Sequence, residues 1–291
     1  MSHIPVLLNE TINLLQPQSG EFFIDGTLGA GGHSKAILEK IGKDGKLLAI
    51  DWDKNAAGKV EQITGENVIF INDNFANLPE ILKKKKLRRA DGLILDLGFS
   101  SDQLEWSGRG FSFNRDEPLL MTYSDDSEPL YQLLTRLKQE ELEEIIRNYG
   151  EERFAGRIAR VIREKIRGGS VIRSTRELAD LIKGAVPFNY ERGRIHPATR
   201  TFQAFRIYVN KELENLEKVL ANIEKIIKKD GRVAIISFHS LEDRIVKNYF
   251  RNYAKEEKLE LLTKKPLVAS EEEILNNPRS RSAKLRAAKI I

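Results

Sequence analysis

Short apolar segments alternate with longer amphipathic segments over the first 113 residues of the chain. Runs rich in Ile, Leu and Phe predict four strands, at 21–25, 46–50, 67–71 and 92–96. The segments between them carry apolar residues at helical spacing. Strands that alternate with helices are typical of an α/β fold with a parallel, doubly wound sheet.

The strand pattern stops at about Asn114 and resumes at Arg232–Phe238. Apolar residues recur three or four apart throughout 114–200, which predicts an all-helical insertion, with Thr175 as the N-cap of one helix. A continuous leucine and isoleucine stripe then predicts one long helix from about 201 to 229.

The chain therefore leaves a sheet domain and returns to it. We predict a discontinuous sheet domain, formed by 1–113 and 201–291, and an inserted helical domain at 114–200. The basic tail, 279–291, ends in apolar residues, so it either packs on the sheet or contacts RNA.

A glycine-rich turn follows the first predicted strand, after Asp25, and contains Gly26, Gly29, Gly31, Gly32 and His33. Strand, glycine turn and helix form an arrangement that brings the backbone close to a nucleotide-like ligand. The turn has no Lys-Ser/Thr pair and no G-x-G-x-x-G order, which argues against a phosphate loop. Asp25 would repel a pyrophosphate but suits a cationic amino-acid group. This favours S-adenosylmethionine (AdoMet) over NAD as the ligand.

Two more carboxylates end predicted strands, Asp51 the second and Asp96 the fourth. Ligands of open α/β sheets bind at the carboxyl ends of the strands, where Asp25, Asp51 and Asp96 would meet. Asp51 is placed to accept hydrogen bonds from a ribose. Alternatively, it only caps the turn that begins at Asp53.

Composition narrows the class of protein. The 291 residues carry a net charge of +5 with a pI near 9.2, which permits nucleic-acid binding without requiring it. The chain has no cysteine, so disulfides and thiolate metal sites are excluded. We recognise no signal segment and no apolar run of membrane-spanning length, so we expect a cytoplasmic protein without membrane association.

The predicted insertion is the most basic region. Arg153, Arg157, Arg160 and Arg163 recur three or four apart and share one helix face. This face is either an RNA clamp or an ordinary charged surface, since neighbouring glutamates offset part of its charge.

Eight segments resemble the family of bacterial 16S ribosomal RNA (cytosine-N4)-methyltransferases, known as RsmH or MraW. They follow the family's order over nearly the whole chain: HIPVLLNE at 3–10, DGTLGAGGHS at 25–34, DGLILDLGFSSDQL at 91–104, RGFSF at 109–113, YGEERFAGRIA at 149–159, HPATRTFQAFRIYVN at 196–210, SFHSLEDRIVK at 237–247 and NPRSRSAKLRA at 277–287. The resemblance implies a class I AdoMet-dependent methyltransferase with a Rossmann-like sheet and a helical substrate domain. The implied substrate is a decoding-centre cytosine of 16S rRNA in the small ribosomal subunit.

The resemblance also implies a set of cofactor contacts: Gly31, Gly32, His33, Asp51, Phe75, Asp96 and Gln103. The glycine turn, with Asp25, takes the methionine end, to which Gln103 would hydrogen-bond, and Phe75 offers an apolar face to adenine. The alternatives are that Phe75 is only a core residue and that His33 only opens a helix.

Asp96 is also the candidate catalytic residue. The cytosine amine is a weak nucleophile, and an acceptor on its N–H localises the nitrogen lone pair and then takes the proton. Asp96-Leu97-Gly98-Phe99 keeps the acid and the aromatic residue at the spacing of amino-methyltransferase motifs. We expect Asp96 or the Leu97 carbonyl to accept from the amine and Phe99 to stack on a flipped base.

Further residues are candidates for RNA contact. They lie where the insertion rejoins the sheet domain, and after the strand near residue 237: His196, Arg200, Gln203, Arg206 and His239. His239 is a candidate base, although a lone histidine is more often a structural hydrogen-bonding group.

The chain departs from the family pattern at Pro118–Asp125, where an acidic and a basic residue are replaced. This leaves two other functions open, methylation of DNA or of another rRNA base, and a non-catalytic role in ribosome assembly. A homodimer is compatible with the sequence, which does not settle the oligomeric state.

Overall fold

The structure is a computed structural model that describes residues 4–56, 58, 65–98, 108–125, 127–190 and 195–291. Its strands are β1 (Phe22–Asp25), β2 (Lys46–Asp51), β3 (Val68–Asn72), β4 (Ala90–Asp96), β5 (Ile227–Ser237), β6 (Leu259–Leu261) and β7 (Lys284–Ile290). The four strands predicted in the first part of the sequence are therefore confirmed.

The α-helices of the described residues are α1 (Leu8–Leu15), α2 (Gly32–Ile41), α3 (Leu78–Lys85), α4 (Leu130–Arg136), α5 (Gln139–Gly150), α6 (Ala155–Arg167), α7 (Thr175–Ala185), α8 (Thr199–Asn210), α9 (Glu212–Ala221), α10 (Ile223–Ile226), α11 (Ser240–Lys255) and α12 (Glu271–Asn276). Short 3₁₀ turns lie at Lys54–Ala56, Phe75–Asn77 and Pro278–Ser282.

The described strands form one sheet in the order β3-β2-β1-β4-β5-β7-β6. Strands β1 to β5 are parallel, whereas β7 runs antiparallel to both β5 and β6. The order reverses at β1, which lies between β2 and β4. This confirms the predicted α/β, doubly wound fold.

Side chains on the two faces of the sheet enter two separate cores. Phe22 and Ile24 of β1 belong to one core, together with residues of α3, α9 and α11. Phe23 belongs to the other, together with residues of α1 and α2. This alternation follows from the two-residue period of a strand, and burial on both faces is typical of a parallel sheet covered by helices.

The chain divides into two compact units, Met1–Ser100 with Leu213–Ile291, and Ser101–Glu212. The first unit contains the whole sheet. The described part of the second contains helices α4 to α8, which form because amphipathic faces pack on one another, α5 on α6 and α8. The units divide after Ser100 and Glu212, whereas the predicted domains divide after 113 and 200. Helix α8 belongs to the helical unit because it packs on α5, where Gln203 donates to the carbonyl of Tyr149.

Three local predictions were wrong. The predicted long helix is broken into α8, α9 and α10, because Lys211 adopts a left-handed conformation with a φ of 51° and Asn222 interrupts the helix again. Strand β5 begins earlier than predicted, at Ile227. The N-cap of α7 is Ser174, whose hydroxyl accepts from the amide of Glu177, while the hydroxyl of Thr175 donates to the carbonyl of Arg115.

The basic tail forms β7, so it packs in the sheet, the first of the two predicted placements. Among the described residues, no helix combines the length and the apolar character that crossing a membrane requires.

Candidate active site

Three carboxylates end neighbouring strands at one edge of the sheet. Asp25 is the last residue of β1, Asp51 of β2 and Asp96 of β4. Because β1 lies between β2 and β4, these ends flank the point where the strand order reverses, which is where α/β sheets form a ligand crevice.

The glycine turn joins β1 to α2 and is fastened to both neighbouring strands. The amide of Gly26 donates to the carbonyl of Ile94 in β4, and the amide of Leu28 donates to Ile50 in β2. Gly29 and Gly31 have φ angles of 53° and 80°, a left-handed conformation that glycine adopts without strain. The turn is therefore held in one conformation by the strands on either side.

Helix α2 begins at the end of this turn without a side-chain cap. Its N-cap is Gly31, which has no side chain, so the first amides of the helix are not satisfied by a capping oxygen. A helix N-terminus of this kind attracts an anionic group such as a carboxylate.

Asp25 shapes the turn from inside the protein. Its side chain is 1% exposed, and it accepts hydrogen bonds from the Ser34 hydroxyl at 2.7 Å and the Thr27 amide at 3.1 Å. Burial raises the pKa of Asp25, and the Ser34 hydroxyl opposes that rise. Ser34 and Thr27 belong to the site although the sequence analysis did not select them. The only signal for them is that they are polar residues inside the glycine-rich motif.

Asp51 connects β2 to the same turn. Its Oδ2 accepts from the amide of Gly29 at 2.8 Å, and its Oδ1 accepts from the amide of Asp53 at 2.8 Å. The second bond is the turn-capping role that we considered as the alternative. The first bond ties the carboxylate to the glycine turn. Ribose binding by Asp51 stays a prediction.

Asp96 and His33 meet across the crevice from β4 and α2. Nδ1 of His33 lies 3.7 Å from Oδ2 of Asp96, while Nε2 lies 3.1 Å from the carbonyl oxygen of Val6. Burial raises the pKa of Asp96 to about 7, against the opposing Gly98 amide and with a further contribution from Glu242. Burial lowers the pKa of His33, so its imidazole is neutral near pH 7.

Phe75 lies beside the glycine turn, in the 3₁₀ turn after β3. It is half-buried against the core, and a Cβ added to Gly26 would be 3.2 Å from the Phe75 Cβ. The structure therefore supports a core role and also leaves part of the ring exposed near the crevice. The predicted site residues Phe99 and Gln103 lie outside the described residues.

The candidate RNA contacts of the helical unit include two residues that hold its helices together. Gln203 donates to Tyr149, as described above, and Arg200 donates to the carbonyl of Glu151 at 3.0 Å. The ring of His196 stacks on Phe113 at a centroid distance of 4.4 Å, and it remains exposed.

Arg206 forms an ion pair inside this unit. Its Nε lies 2.8 Å from Oε1 of Glu212, its Nη2 lies 2.9 Å from Oε2, and both side chains are less than one-fifth exposed. This pairing gives Arg206 a structural role that the sequence did not indicate. Its predicted contact with RNA is untested.

The prediction that four arginines share one helix face was wrong for Arg153, which precedes α6, whereas Arg157, Arg160 and Arg163 lie within that helix. Arg153 lies 4.8 Å from the ring centroid of Phe154, and Arg157 lies 5.8 Å from the same centroid. Arg160 pairs with Glu164 at 3.8 Å, and Arg163 donates to the carbonyl of Leu134. Arg153 and Arg157 therefore lie over an aromatic ring, whereas Arg160 forms an ion pair within α6 and Arg163 bonds to α4.

His239 is the N-cap of α11 in the sheet unit. Its Nδ1 accepts from the amide of Glu242, and the Glu242 carboxylate accepts from the amides of Phe238 and His239. This reciprocal arrangement is a capping box. The imidazole is 9% exposed, so the structural interpretation accounts for its position.

The segment that departs from the family pattern carries its own ion pair. Arg109 Nη2 lies 2.6 Å from Asp125 Oδ1, and Arg109 Nη1 donates to the carbonyl of Thr122. Met121 is buried with a φ of 56°. Asp125 therefore supplies an acidic partner for the arginine of the RGFSF motif.

The sheet order and the acidic, glycine-rich carboxyl edge define an α/β fold of the methyltransferase type. The chain belongs to the MraW methylase family, whose model matches residues 1–291. It is 46% identical to a protein of Rickettsia felis named ribosomal RNA small subunit methyltransferase H, over 100% of this chain and 99% of that protein. A protein of the same name from Syntrophotalea carbinolica is 45% identical over 98% of this chain and 96% of its own length.

A solved structure described as a putative rRNA-methylase from Clostridium thermocellum aligns with a TM-score of 0.47 at 10% identity, over 99% of this chain and 98% of that chain.

Proposed function

We propose that this protein is an AdoMet-dependent methyltransferase that methylates the exocyclic N4 of a decoding-centre, P-site cytosine in 16S rRNA of the small ribosomal subunit. The observation that carries the proposal is Asp96, a largely buried carboxyl group, 16% exposed, with a pKa raised to about 7 at the carboxyl end of β4. Family membership and the names of the two relatives support small-subunit rRNA as the class of substrate, and the cytosine N4 target is what the resemblance implies.

The described residues suit AdoMet. The uncapped N-terminus of α2, at Gly31 and Gly32, would hold the methionine carboxylate. Asp51 would accept from the ribose, and Phe75 would face the adenine. Asp25 contributes by fixing the turn, since it is 1% exposed and accepts hydrogen bonds from Thr27 and Ser34. When bound, AdoMet supplies an electrophilic methyl group on a sulfonium.

A buried acid with a raised pKa favours a cationic ligand. A carboxylate in this environment is stabilised by a nearby positive charge, and AdoMet carries positive charge on its sulfonium and its ammonium group. Binding of such a ligand would therefore stabilise the ionised form of Asp96. Asp96 is a proposed cofactor contact and a proposed catalytic residue.

The catalytic role of Asp96 is to hold a proton. Its carboxylate accepts a hydrogen bond from the cytosine amine, which localises the nitrogen lone pair for attack on the methyl group. When N4 becomes positively charged, the proton passes to Asp96. A pKa near 7 makes this acid a better proton acceptor than an ordinary aspartate. His33, which is neutral, lies beside the acid, with its Nδ1 3.7 Å from Oδ2 of Asp96.

The partner in this proposal is 16S rRNA within the small ribosomal subunit, which implies a cytoplasmic location. In the helical unit, the guanidinium groups of Arg153 and Arg157 lie over the ring of Phe154, which combines positive charge with an aromatic face. The exposed ring of His196 stacks on Phe113 and adds a second aromatic surface. Both features are common on RNA-binding surfaces. Phe99 and Gln103 keep their predicted roles, in base stacking and in methionine binding.

The test is transfer of labelled methyl from AdoMet to small ribosomal subunits from a strain that lacks the modification. Nuclease digestion and mass spectrometry then locate the label. We expect one labelled N4 on a decoding-centre cytosine, and none with the Asp96→Ala variant. Naked 16S rRNA, assayed in parallel, identifies which form is the substrate.

Two results would contradict the proposal. Label on another base or on DNA would assign a different substrate. Binding of small subunits without binding of AdoMet would favour the non-catalytic assembly role.

A further inference from the structure

A basic cleft opens on the sheet unit, and its lining does not include the carboxylates of the candidate active site. It has a volume of about 410 Å³ and lies between α11, the end of β6 and β7. Five of its nine lining residues are basic: Lys247, Arg251, Lys264, Lys265 and Arg286. We refer to it as the α11–β7 cleft.

Four of these cations have no acidic partner among the residues that the structure describes. Lys247 is half-buried, and Arg251, Lys264 and Lys265 are exposed, without a hydrogen bond or ion pair. None of the nine lining residues is acidic. Positive charges gathered in this way repel one another, and a polyanion relieves that repulsion.

The fifth cation is fixed by a structural ion pair. Nε of Arg286 lies 2.6 Å from Oδ1 of Asp243, and Nη2 lies 3.2 Å from Oδ2. The hydroxyl of Thr263 accepts from the amide of Ala287 at 3.0 Å. These bonds give the cleft a rigid base, while the four unpaired cations remain available to a ligand.

The strand register places this cleft at the level of the candidate active site. Asp96 of β4 pairs with Ile236 of β5, which pairs with Leu285 of β7, and Leu285 forms a bridge with Leu267. The cleft residues Lys264 and Lys265 shortly precede Leu267. Asp96 and Leu267 are therefore three strands apart. At about 4.8 Å between neighbouring strands, this is a distance of about 14 Å across the sheet.

We propose that the α11–β7 cleft binds backbone phosphates of the RNA that enters the active site, through Lys247, Arg251, Lys264 and Lys265. This inference rests on the proposed function for the identity of the RNA. The cleft contacts phosphates and not base edges, so it contributes affinity and orientation without sequence preference. The basic charge of the cleft acts beside the catalytic edge, independently of the arginines of α6.

Two double variants test the cleft, Lys264→Gln/Lys265→Gln and Lys247→Gln/Arg251→Gln. The matched control is Lys84→Gln/Lys85→Gln, which removes two exposed lysines at the end of α3, just before β4 begins and thus at the opposite edge of the sheet. Binding of a short fluorescein-labelled polyuridine is followed by anisotropy from about 50 to 200 mM salt.

We expect each cleft variant to bind polyuridine roughly three- to tenfold more weakly than the control. The salt dependence should also fall, since each lost phosphate contact lowers the slope by about 0.7 for a single strand. With small subunits as substrate, KM should rise while kcat and AdoMet affinity stay unchanged. A cleft variant with the affinity and slope of the control would overturn the inference.

The same measurements separate this inference from the proposed function. The cleft variants could bind polyuridine more weakly while the unaltered protein transfers no methyl group to small subunits. This result would support phosphate binding by the cleft and reject the proposed reaction. Normal methyl transfer with unchanged KM and unchanged polyuridine binding would retain the reaction and reject the cleft.

Discussion

Nδ1 of His33 lies 3.7 Å from Oδ2 of Asp96, so the first turn of α2 and the carboxyl end of β4 meet through an imidazole and a carboxyl group. Burial disfavours charge on both groups, which raises the pKa of Asp96 to about 7 and lowers that of His33. Near neutral pH the histidine is therefore neutral, and Asp96 can still accept a proton. A surface aspartate at the same strand end, with a pKa near the ordinary value of 3.8, would be a much weaker proton acceptor.

Substitution of Asp96 by asparagine should change how stability depends on pH. The folded-state pKa of about 7 exceeds the unfolded value of 3.8, so the folded protein binds the extra proton between these pH values. The contribution of Asp96 to stability is thus present below about pH 4 and is lost as the pH rises towards 7. We expect Asp96→Asn to gain stability over the unaltered protein along this range, by at most about 4 kcal/mol. Urea unfolding at pH 5 and pH 8 measures the difference.

Asp91 provides a control of opposite sign. Burial alone would raise the pKa of Asp91, but the Lys228 ammonium, the Phe22 amide and the Arg88 guanidinium together lower it. Its stabilising contribution is present above its unfolded-state pKa and is lost on acidification. Asp91→Asn should therefore destabilise the protein most at neutral pH. If Asp96→Asn shows the same trend as Asp91→Asn, the raised pKa of Asp96 is wrong.

Substitution of Gly26 by alanine should deform the glycine turn. An added Cβ would lie 2.5 Å from Cδ2 of Leu95 and 3.2 Å from the Cβ of Phe75, and Leu95 is fully buried. We expect a loss of roughly 1–3 kcal/mol, as for other overpacked sites, and weaker binding of AdoMet. Thermal unfolding and calorimetric titration with AdoMet measure the two effects.

The matched control is Gly184→Ala in α7, where an added Cβ meets nothing within 4 Å. Alanine there should leave AdoMet binding unchanged and stabilise the helix by up to about 1 kcal/mol. Equal AdoMet affinity in the two variants would show that the turn tolerates a side chain at Gly26.

Two substitutions of His239 distinguish a cap from a catalytic or RNA-binding group. Asparagine is a good N-cap, so His239→Asn should retain both stability and methyl transfer, whereas His239→Ala should lose about 1 kcal/mol. Urea unfolding and the methyl-transfer assay measure both variants. Loss of methyl transfer in His239→Asn at unchanged stability would instead support the role predicted from the sequence.

Exchange of the two charges tests whether Arg206 stabilises the helical unit through its ion pair with Glu212. Arg206→Glu should destabilise the helical unit by roughly 2–5 kcal/mol, because it places two carboxylates together where both side chains are largely buried. The exchanged pair, Arg206→Glu with Glu212→Arg, should recover part of this loss in thermal unfolding. If Arg206→Glu weakens RNA binding without any loss of stability, Arg206 guides RNA as the sequence predicted.

The sequence was sufficient to predict the elements that depend on a local pattern of residues. The strands β1 to β4 are short apolar runs, and each lies within a few residues of its predicted bounds. Burial of the central strands β1, β2 and β4 requires nearly unbroken apolar segments, whereas β3 at the edge of the sheet is only half-buried. The glycine turn and the acids at the strand ends could also be located, since a parallel sheet brings the carboxyl ends of its strands to one edge.

The sequence by itself therefore determined the α/β class, the helical insertion, the family and the positions of Asp25, Asp51 and Asp96. Only the tertiary structure decided which side chains surround these acids and how that environment changes their charge. The approach of His33 to Asp96, the raised pKa of that acid, and the pairing of Arg206 with Glu212 all depend on side chains brought together by packing. The same holds for the α11–β7 cleft, whose cations are spread from Lys247 to Arg286 along the chain. Periodicity reports which face of an element is buried, whereas the charge of a group depends on how deeply the folded protein removes it from water.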